Sequence, residues 1–196
     1  MEVIYMLRQQ QIRFFLLMFL CLAVFLLPQA GFAAEGRVYT KYNIHAQSKD
    51  GYNLKASYAN FTDPGAGHVI IPAGTEINIT KHGWRGFVFT YDGGNKKVTF
   101  EFQKKRMGMS MDEYIAKITS PEPVKYTKLS KKDKKGIADG KAYKGMTKKG
   151  VMIALGYPAA HRTPSLDSNS WTYWTNRYRT LVVEFNDKGK VVEVRR

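Results

Sequence analysis

The sequence has very little cysteine and few acidic side chains. Of its 196 residues one is Cys, and 16 Asp and Glu stand against 31 Lys and Arg, which gives a formal net charge of +15. A single Cys excludes a disulfide framework and any zinc or iron–sulfur site built on thiolates. The excess of cations makes anionic partners the ones to consider.

Long apolar runs are also missing, apart from one near the N-terminus. Residues 14–27 read FFLLMFLCLAVFLL without a charge, and Arg8 and Arg13 precede them. A membrane-spanning helix needs about 20 apolar residues, so a polytopic membrane protein is excluded. Small residues at Gly31 and Ala33 complete the three-part pattern of a secretory signal peptide.

The signal peptide, over residues 1–33, determines where the protein is expected to work. Cleavage after Ala33 predicts a periplasmic protein, either free or associated with the outer membrane. Envelope proteins, anionic lipids and anionic polysaccharides then replace nucleic acid as the expected partners. Retention of residues 1–33 as an anchor is the alternative. Cys21 follows Leu20, where a lipoprotein signal has a small residue, so lipid attachment is not predicted.

Residues 35–120 predict a small β-rich domain, a barrel or a curled sheet, because short alternating stretches are separated by turn sequences. The strongest hairpin signal is the turn sequence Asp-Gly-Gly-Asn at 92–95. Aromatic and apolar residues alternate around it: Phe87, Phe89 and Tyr91 before the turn, and Val98, Phe100 and Phe102 after it. Ser110 and Glu113 then have the spacing of a capping box that begins a short helix.

Residues 121–140 are predicted to be a basic linker. Residues 125–150 contain ten Lys against two Asp, a local charge of +8. The candidates for binding a polyanion are Lys128, Lys131, Lys132, Lys134 and Lys135. A solvated linker with one helix face is the alternative interpretation. No aromatic residues alternate with these lysines, so binding of nucleic acid is not predicted.

Residues 141–196 predict one helix packed on a three-stranded antiparallel sheet, so the chain as a whole is assigned to the α+β class. Thr147 is the expected N-cap of the helix, and Gly156 with Pro158 is expected to end it. Alternating apolar residues in two later stretches, separated by turn sequences, predict the strands.

The C-terminal third resembles the SmpA/OmlA (BamE-like) family of outer-membrane assembly lipoproteins. The resemblance is carried by the order and spacing of Gly145, Met146, Thr147, Val151, Leu155, Gly156, Pro158, Trp171, Tyr173, Phe185 and Gly189. It implies a small α+β domain without catalysis or cofactor, which makes protein or lipid contacts at the outer membrane. From their residue types, the motif positions are expected to serve packing and backbone geometry.

Trp174 lies on the opposite side of its predicted strand from Trp171 and Tyr173, because side chains alternate along a strand. It is therefore expected to be exposed, and the residues at the adjacent hairpin tip extend the same surface. The candidates for partner binding are Trp174, Arg177, Tyr178 and Arg179.

No enzyme motif is present. The four histidines are far apart in sequence and lack the spacing of a metal site: His45, His68, His82 and His161. The sequence therefore predicts a non-enzymatic, exported interaction module that acts in outer-membrane assembly or envelope integrity, without cofactor or metal. Binding of an anionic envelope polymer or lipid through the lysines is the alternative, and a hydrolase within residues 35–120 is the third.

The N-terminus of the exported protein tests the signal-peptide prediction. Intact-mass measurement of protein purified from the periplasm should give a chain that starts at Ala34, because the small residues at Gly31 and Ala33 fit a cleavage site. A chain that keeps Met1, or one that carries a lipid on Cys21, would contradict the prediction.

Overall fold

A computed structural model describes residues 36–196, which fall within one compact unit, Ala33–Arg196. The predicted signal peptide, its cleavage site and Cys21 lie outside the described residues. Between residues 36 and 196 no helix has the length and apolar composition needed to cross a bilayer. The described chain contains one large sheet, one small sheet and four α-helices, which confirms the α+β class.

The first half forms a curled sheet of eight strands, a half-barrel. The strands are β1 Gly36–Thr40, β2 Ile44–Ser48, β3 Asn53–Ser57, β4 His68–Ile71, β5 Glu76–Gly83, β6 Gly86–Tyr91, β7 Lys96–Glu101 and β8 Thr119–Ser120. Their spatial order is β4-β2-β3-β7-β6-β5-β1-β8. All neighbours are antiparallel except β3 and β7, which are parallel. A curled sheet was predicted here, but the parallel pair was not.

The hairpin predicted around residues 92–95 is present as strands β6 and β7. Phe87 pairs with Phe100 and Phe89 pairs with Val98, so both apolar rows face the same core. The Phe87 and Phe100 rings stack with centroids 4.6 Å apart. These four side chains are almost fully buried and form the centre of the first core.

Two short helices, α1 Lys104–Met107 and α2 Met111–Ile118, follow this hairpin. Helix α2 begins with the predicted capping box, because the Ser110 side chain accepts from the Glu113 amide while the Glu113 carboxylate accepts from the Ser110 amide. Its buried face, which includes Tyr114, packs into the first core.

The second half contains helices α3 Lys131–Asp139 and α4 Lys148–Leu155 and a three-stranded antiparallel sheet. The strands of this sheet are β9 Ser170–Trp174, β10 Thr180–Phe185 and β11 Val191–Arg195, in the order β11-β10-β9. Helix α3 lies within the stretch 121–140 that was predicted to be a linker.

The second core lies between helix α4 and the small sheet. Val151 and Leu155 of the helix pack against Trp171 of the sheet, and all three side chains are at most 1% exposed. The Trp171 and Phe185 rings meet edge to face at 4.9 Å. Among the motif residues, Met146, Tyr173 and Phe185 are also buried in this core. Gly156 has the expected positive φ of 84°, but its ψ of −178° is extended rather than left-handed helical.

Asp133 joins the two helices of the second half, although it is 1% exposed. One carboxylate oxygen accepts from the Ser130 hydroxyl at 2.8 Å, while that hydroxyl caps helix α3 by accepting from the Asp133 amide at 3.1 Å. The other accepts at 2.8 Å from the amide of Thr147, the N-cap of helix α4. Gly150 permits this contact, because a Cβ at that position would overlap the Asp133 carboxylate.

Buried polar groups of the curled sheet bind the carboxyl end of helix α4. The last carbonyls of a helix have no partner within the helix, so they must be satisfied from elsewhere. Three donors fill this role. The Asn43 backbone amide donates to Ile153 O (2.8 Å), His45 Nε2 donates to Ala154 O (2.9 Å), and Asn60 Nδ2 donates to Leu155 O (2.7 Å).

His45 forms hydrogen bonds through both ring nitrogens. Its Nε2 donates to Ala154 O, and its Nδ1 lies 3.0 Å from Nε2 of His68. In the neutral form of His45, Nδ1 accepts the His68 proton. Burial lowers the pKa of His45 to about 4. Burial also lowers the pKa of His68, while the nearby Asp63 opposes that shift and Lys141 adds to it.

The His45 pair predicts a loss of stability in acid. Because the folded pKa lies below the unfolded value of about 6.5, the contribution of His45 is complete above pH 6.5 and falls as the pH drops towards 4. Between pH 7.5 and pH 4, we expect the free energy of unfolding of the wild type to fall by about 3 kcal/mol more than that of the His45→Gln variant. Glutamine keeps a hydrogen-bond donor at this position but does not titrate. Urea unfolding at each pH measures it. The exposed His161→Gln variant is the control and should follow the wild type, whereas equal pH profiles for wild type and His45→Gln would contradict the assignment.

Candidate basic and aromatic cleft

A cleft with a volume of about 860 Å³ opens between the curled sheet and the β9–β10 hairpin. The curled sheet and helix α1 supply one wall, and the hairpin supplies the other. Its principal side chains are Tyr58, Phe61, Gln103, Arg106, Trp174, Arg177 and Tyr178. The volume is within the range of about 300–1,000 Å³ that is typical of ligand sites.

Backbone hydrogen bonds fix the hairpin against the first half. The Thr62 amide donates to Trp174 O at 3.0 Å, and the Asp63 amide donates to Thr175 O at 2.8 Å. The loop at 62–63 therefore extends the edge of strand β9, which would otherwise be open to pairing. The wall of the cleft is set by main-chain contacts and does not depend on side-chain packing alone.

The hairpin tip is held by a local side-chain turn. The Asn176 side-chain oxygen accepts from the amides of Tyr178 and Arg179 at 2.9 and 3.0 Å. This Asx-type arrangement leaves the side chains of Arg177 and Tyr178 pointing into solvent beside the cleft, with Tyr178 85% exposed. Arg179 is exposed on the same tip but is not among the lining residues.

Trp174 is half-buried, which differs from the exposed position predicted for it. It does lie on the opposite face from Trp171, but that face packs against the first core rather than against solvent. The Arg162 guanidinium lies 5.1 Å from the centroid of the Trp174 ring. Within residues 36–196 the Trp174 indole nitrogen has no hydrogen-bond partner. Trp174 is therefore a wall of the cleft as well as a packing residue.

The charge in the cleft is mainly positive. Arg106 and Arg177 line it, and within residues 36–196 neither forms an ion pair. Glu101 is the only carboxylate among the lining residues, and Gln103 donates to it at 3.1 Å. The lining residues contain neither a paired carboxylate nor a His beside a nucleophile. The arrangement can bind anionic and amide groups against aromatic rings, and it contains no recognisable catalytic pair.

The five candidate lysines lie elsewhere. All are exposed, and four of them belong to helix α3: Lys131, Lys132, Lys134 and Lys135. Lys135 pairs with Asp139 at 2.7 Å. Four of the lysines thus lie on the exposed side of helix α3, and Asp133 and Gly136 lie on its buried side. None of the five lines the cleft.

Tyr58, Phe61, Gln103 and Arg106 were not predicted as site residues. The one sequence feature that could have indicated this site is the run of basic residues at 104–106, shortly after strand β7. Within residues 36–196 no group of three His, Cys, Asp or Glu side chains is placed to hold a metal ion.

Comparison with protein-family models, with curated proteins and with solved structures gave no match. The resemblance to the SmpA/OmlA family therefore stays a prediction from the motif residues.

The two tryptophans of strand β9 should respond differently to truncation. Trp171→Ala should cost about 3–5 kcal/mol, because it removes a fully buried indole from the second core. Trp174→Ala should cost about 1–2 kcal/mol, because less of its surface is buried. Urea unfolding of both variants measures these costs. Tyr178→Ala is the control and should change stability by less than about 0.5 kcal/mol. Equal losses for the two tryptophans would contradict the face assignment.

Proposed function

We propose that this protein is an exported, non-enzymatic interaction module of the periplasm that binds an acidic segment of an envelope protein in the basic and aromatic cleft. The signal-peptide pattern and the motif residues support a role in outer-membrane assembly or envelope integrity. The observation that carries the proposal is the pair of arginines, Arg106 and Arg177, which line a preformed cleft without an ion-pair partner in the described part of the chain.

The chemistry of the cleft favours a protein partner. Tyr, Trp and Arg are the residues most often found to dominate the binding energy of protein interfaces. Here Tyr178 projects from a rigid tip, while Trp174 and Tyr58 form the wall behind it. A guanidinium binds a carboxylate through two parallel hydrogen bonds, so Asp or Glu side chains, or a chain's C-terminal carboxylate, fit this surface best.

The charge of the exported chain supports the same partner. Loss of Arg8, Arg13 and Glu2 with the signal peptide changes the net charge from +15 to +14. A strongly cationic protein is attracted to acidic partners over distances of about 10 Å, and this attraction raises the association rate. Specificity then depends on the cleft, where the aromatic rings and the two guanidiniums act together.

Site-specific photo-crosslinking in intact cells tests this proposal. A photoreactive phenylalanine analogue at Tyr178 should capture a discrete envelope protein. The same analogue at Tyr52 is the matched control, because Tyr52 is 65% exposed and lies in the β2–β3 turn outside the cleft. In the Arg106→Ala/Arg177→Ala background, capture at Tyr178 should fall by about tenfold or more, since charged hydrogen bonds are lost. Equal capture at both positions, or capture unaffected by the arginine changes, would contradict the proposal.

Polyanion binding by helix α3 is the second candidate function. It is favoured by the four exposed lysines of that helix, of which Lys135 pairs with a carboxylate. The same crosslinking experiment separates the two, with Lys131→Glu/Lys132→Glu/Lys134→Glu as the second background. Loss of capture in that background but not in the arginine background would assign the function to the helix. Binding through many lysines should also weaken steeply as salt rises.

A further inference from the structure

A second groove, with a volume of about 450 Å³, lies beside helix α4 and has an almost wholly apolar lining. Its apolar side chains include Tyr42, Val124, Tyr126, Met152, Leu166 and Trp171. Val124 and Tyr126 come from the stretch predicted as a linker, and Trp171 comes from the small sheet. The groove is thus built by five separate stretches of the described chain.

Hydrogen bonds hold the walls of this groove in place. The Tyr126 hydroxyl donates to the Lys41 carbonyl, and the Lys41 amide donates to Ile118 O at 2.7 Å. Burial raises the pKa of Tyr126 to about 12, so its hydroxyl keeps its proton at neutral pH. The Asn43 amide, next to Tyr42, donates to Ile153 O on helix α4 at 2.8 Å. The groove is therefore formed before any ligand arrives, which lowers the entropic cost of binding.

Three lysines stand around the apolar lining: Lys41, Lys148 and Lys149. Lys41 Nζ donates to Ala116 O at 2.9 Å, and Lys148 Nζ donates to Asp167 O at 2.9 Å. Within residues 36–196 none of the three pairs with a carboxylate. Burial lowers the pKa of Lys41, and the nearby Lys117 lowers it further. A cluster of cations without a counter-charge favours an anion at the edge of the groove.

We propose that this groove binds a single-chain amphiphile, with its alkyl chain on the apolar lining and its carboxylate or phosphate head group among Lys41, Lys148 and Lys149. Each buried methylene group adds to the binding free energy, so a chain of this kind gains most of its affinity from the lining. The head group supplies the missing negative charge. This site is separate from the arginine cleft and does not depend on the function proposed for it.

A peptide fits the groove less well. A buried peptide backbone must find partners for its amides and carbonyls, and each one left unpaired weakens binding. The lining residues other than the lysines are apolar or aromatic, so they offer few such partners. An alkyl chain has no polar groups to satisfy.

Isothermal titration of the purified protein with dodecanoate, below its critical micelle concentration, tests the proposal. We expect saturable binding of one molecule per chain. Dodecyl phosphate should bind with similar affinity, whereas dodecanol, which has the same chain and no charge, should bind about tenfold more weakly. Absence of saturation, or equal affinity for dodecanol and dodecanoate, would overturn the proposal.

Two pairs of variants locate the binding site. Lys149→Glu should weaken dodecanoate binding by about tenfold, whereas Lys131→Glu, an equally exposed change on helix α3, should not. Met152→Glu places a carboxylate in the apolar lining and should abolish binding, while Met152→Leu should keep it. Urea unfolding of each variant confirms that the fold is retained. Equal affinities for Lys149→Glu and Lys131→Glu, or unchanged binding by a folded Met152→Glu variant, would overturn the proposal.

Discussion

The buried carbonyls at the carboxyl end of helix α4 need hydrogen-bond donors, and this is the constraint on which the rest of the structure depends. A helix of eight residues leaves several carbonyls without partners, and here they are buried away from water. Donors from Asn43, His45 and Asn60 fill this need, so the curled sheet and the second half share one polar network. The apolar groove lies beside this junction, because Tyr42 and Ile153, which line it, adjoin or belong to the bond between the Asn43 backbone amide and Ile153 O.

Local features were predictable from the sequence because they depend on neighbouring residues. The aromatic hairpin, the capping box at Ser110 and the N-cap at Thr147 are all present. The parallel pairing of β3 with β7 and the polar network around His45 join distant residues and have no local signature. Trp174 is the clearest example of what a local pattern cannot predict. The alternation of side chains placed it on the correct face of its strand, but another part of the chain covers that face.

Buried Asp133 fixes the conformation of the lysine-rich stretch around it. Counted in the sequence, it offsets one positive charge, but in the structure its carboxylate is buried and its oxygens are used as helix caps. The neighbouring lysines are therefore exposed on one side of a fixed helix rather than spread along a flexible segment. The candidate cleft contains a different kind of cation, guanidinium groups set among aromatic rings, which suits selective contacts better than a row of ammonium groups.

The bonds at the end of helix α4 also bear on how the chain folds. They connect residues 95 to 111 positions apart, so Asn43, His45 and Asn60 have no partners until Ala154 and Leu155 of helix α4 are present. Contacts of such separation are slow to form, because loop-closure entropy is lost before any interaction is gained. A chain truncated before helix α4 would keep these polar groups without their carbonyls, so folding cannot finish until helix α4 is present.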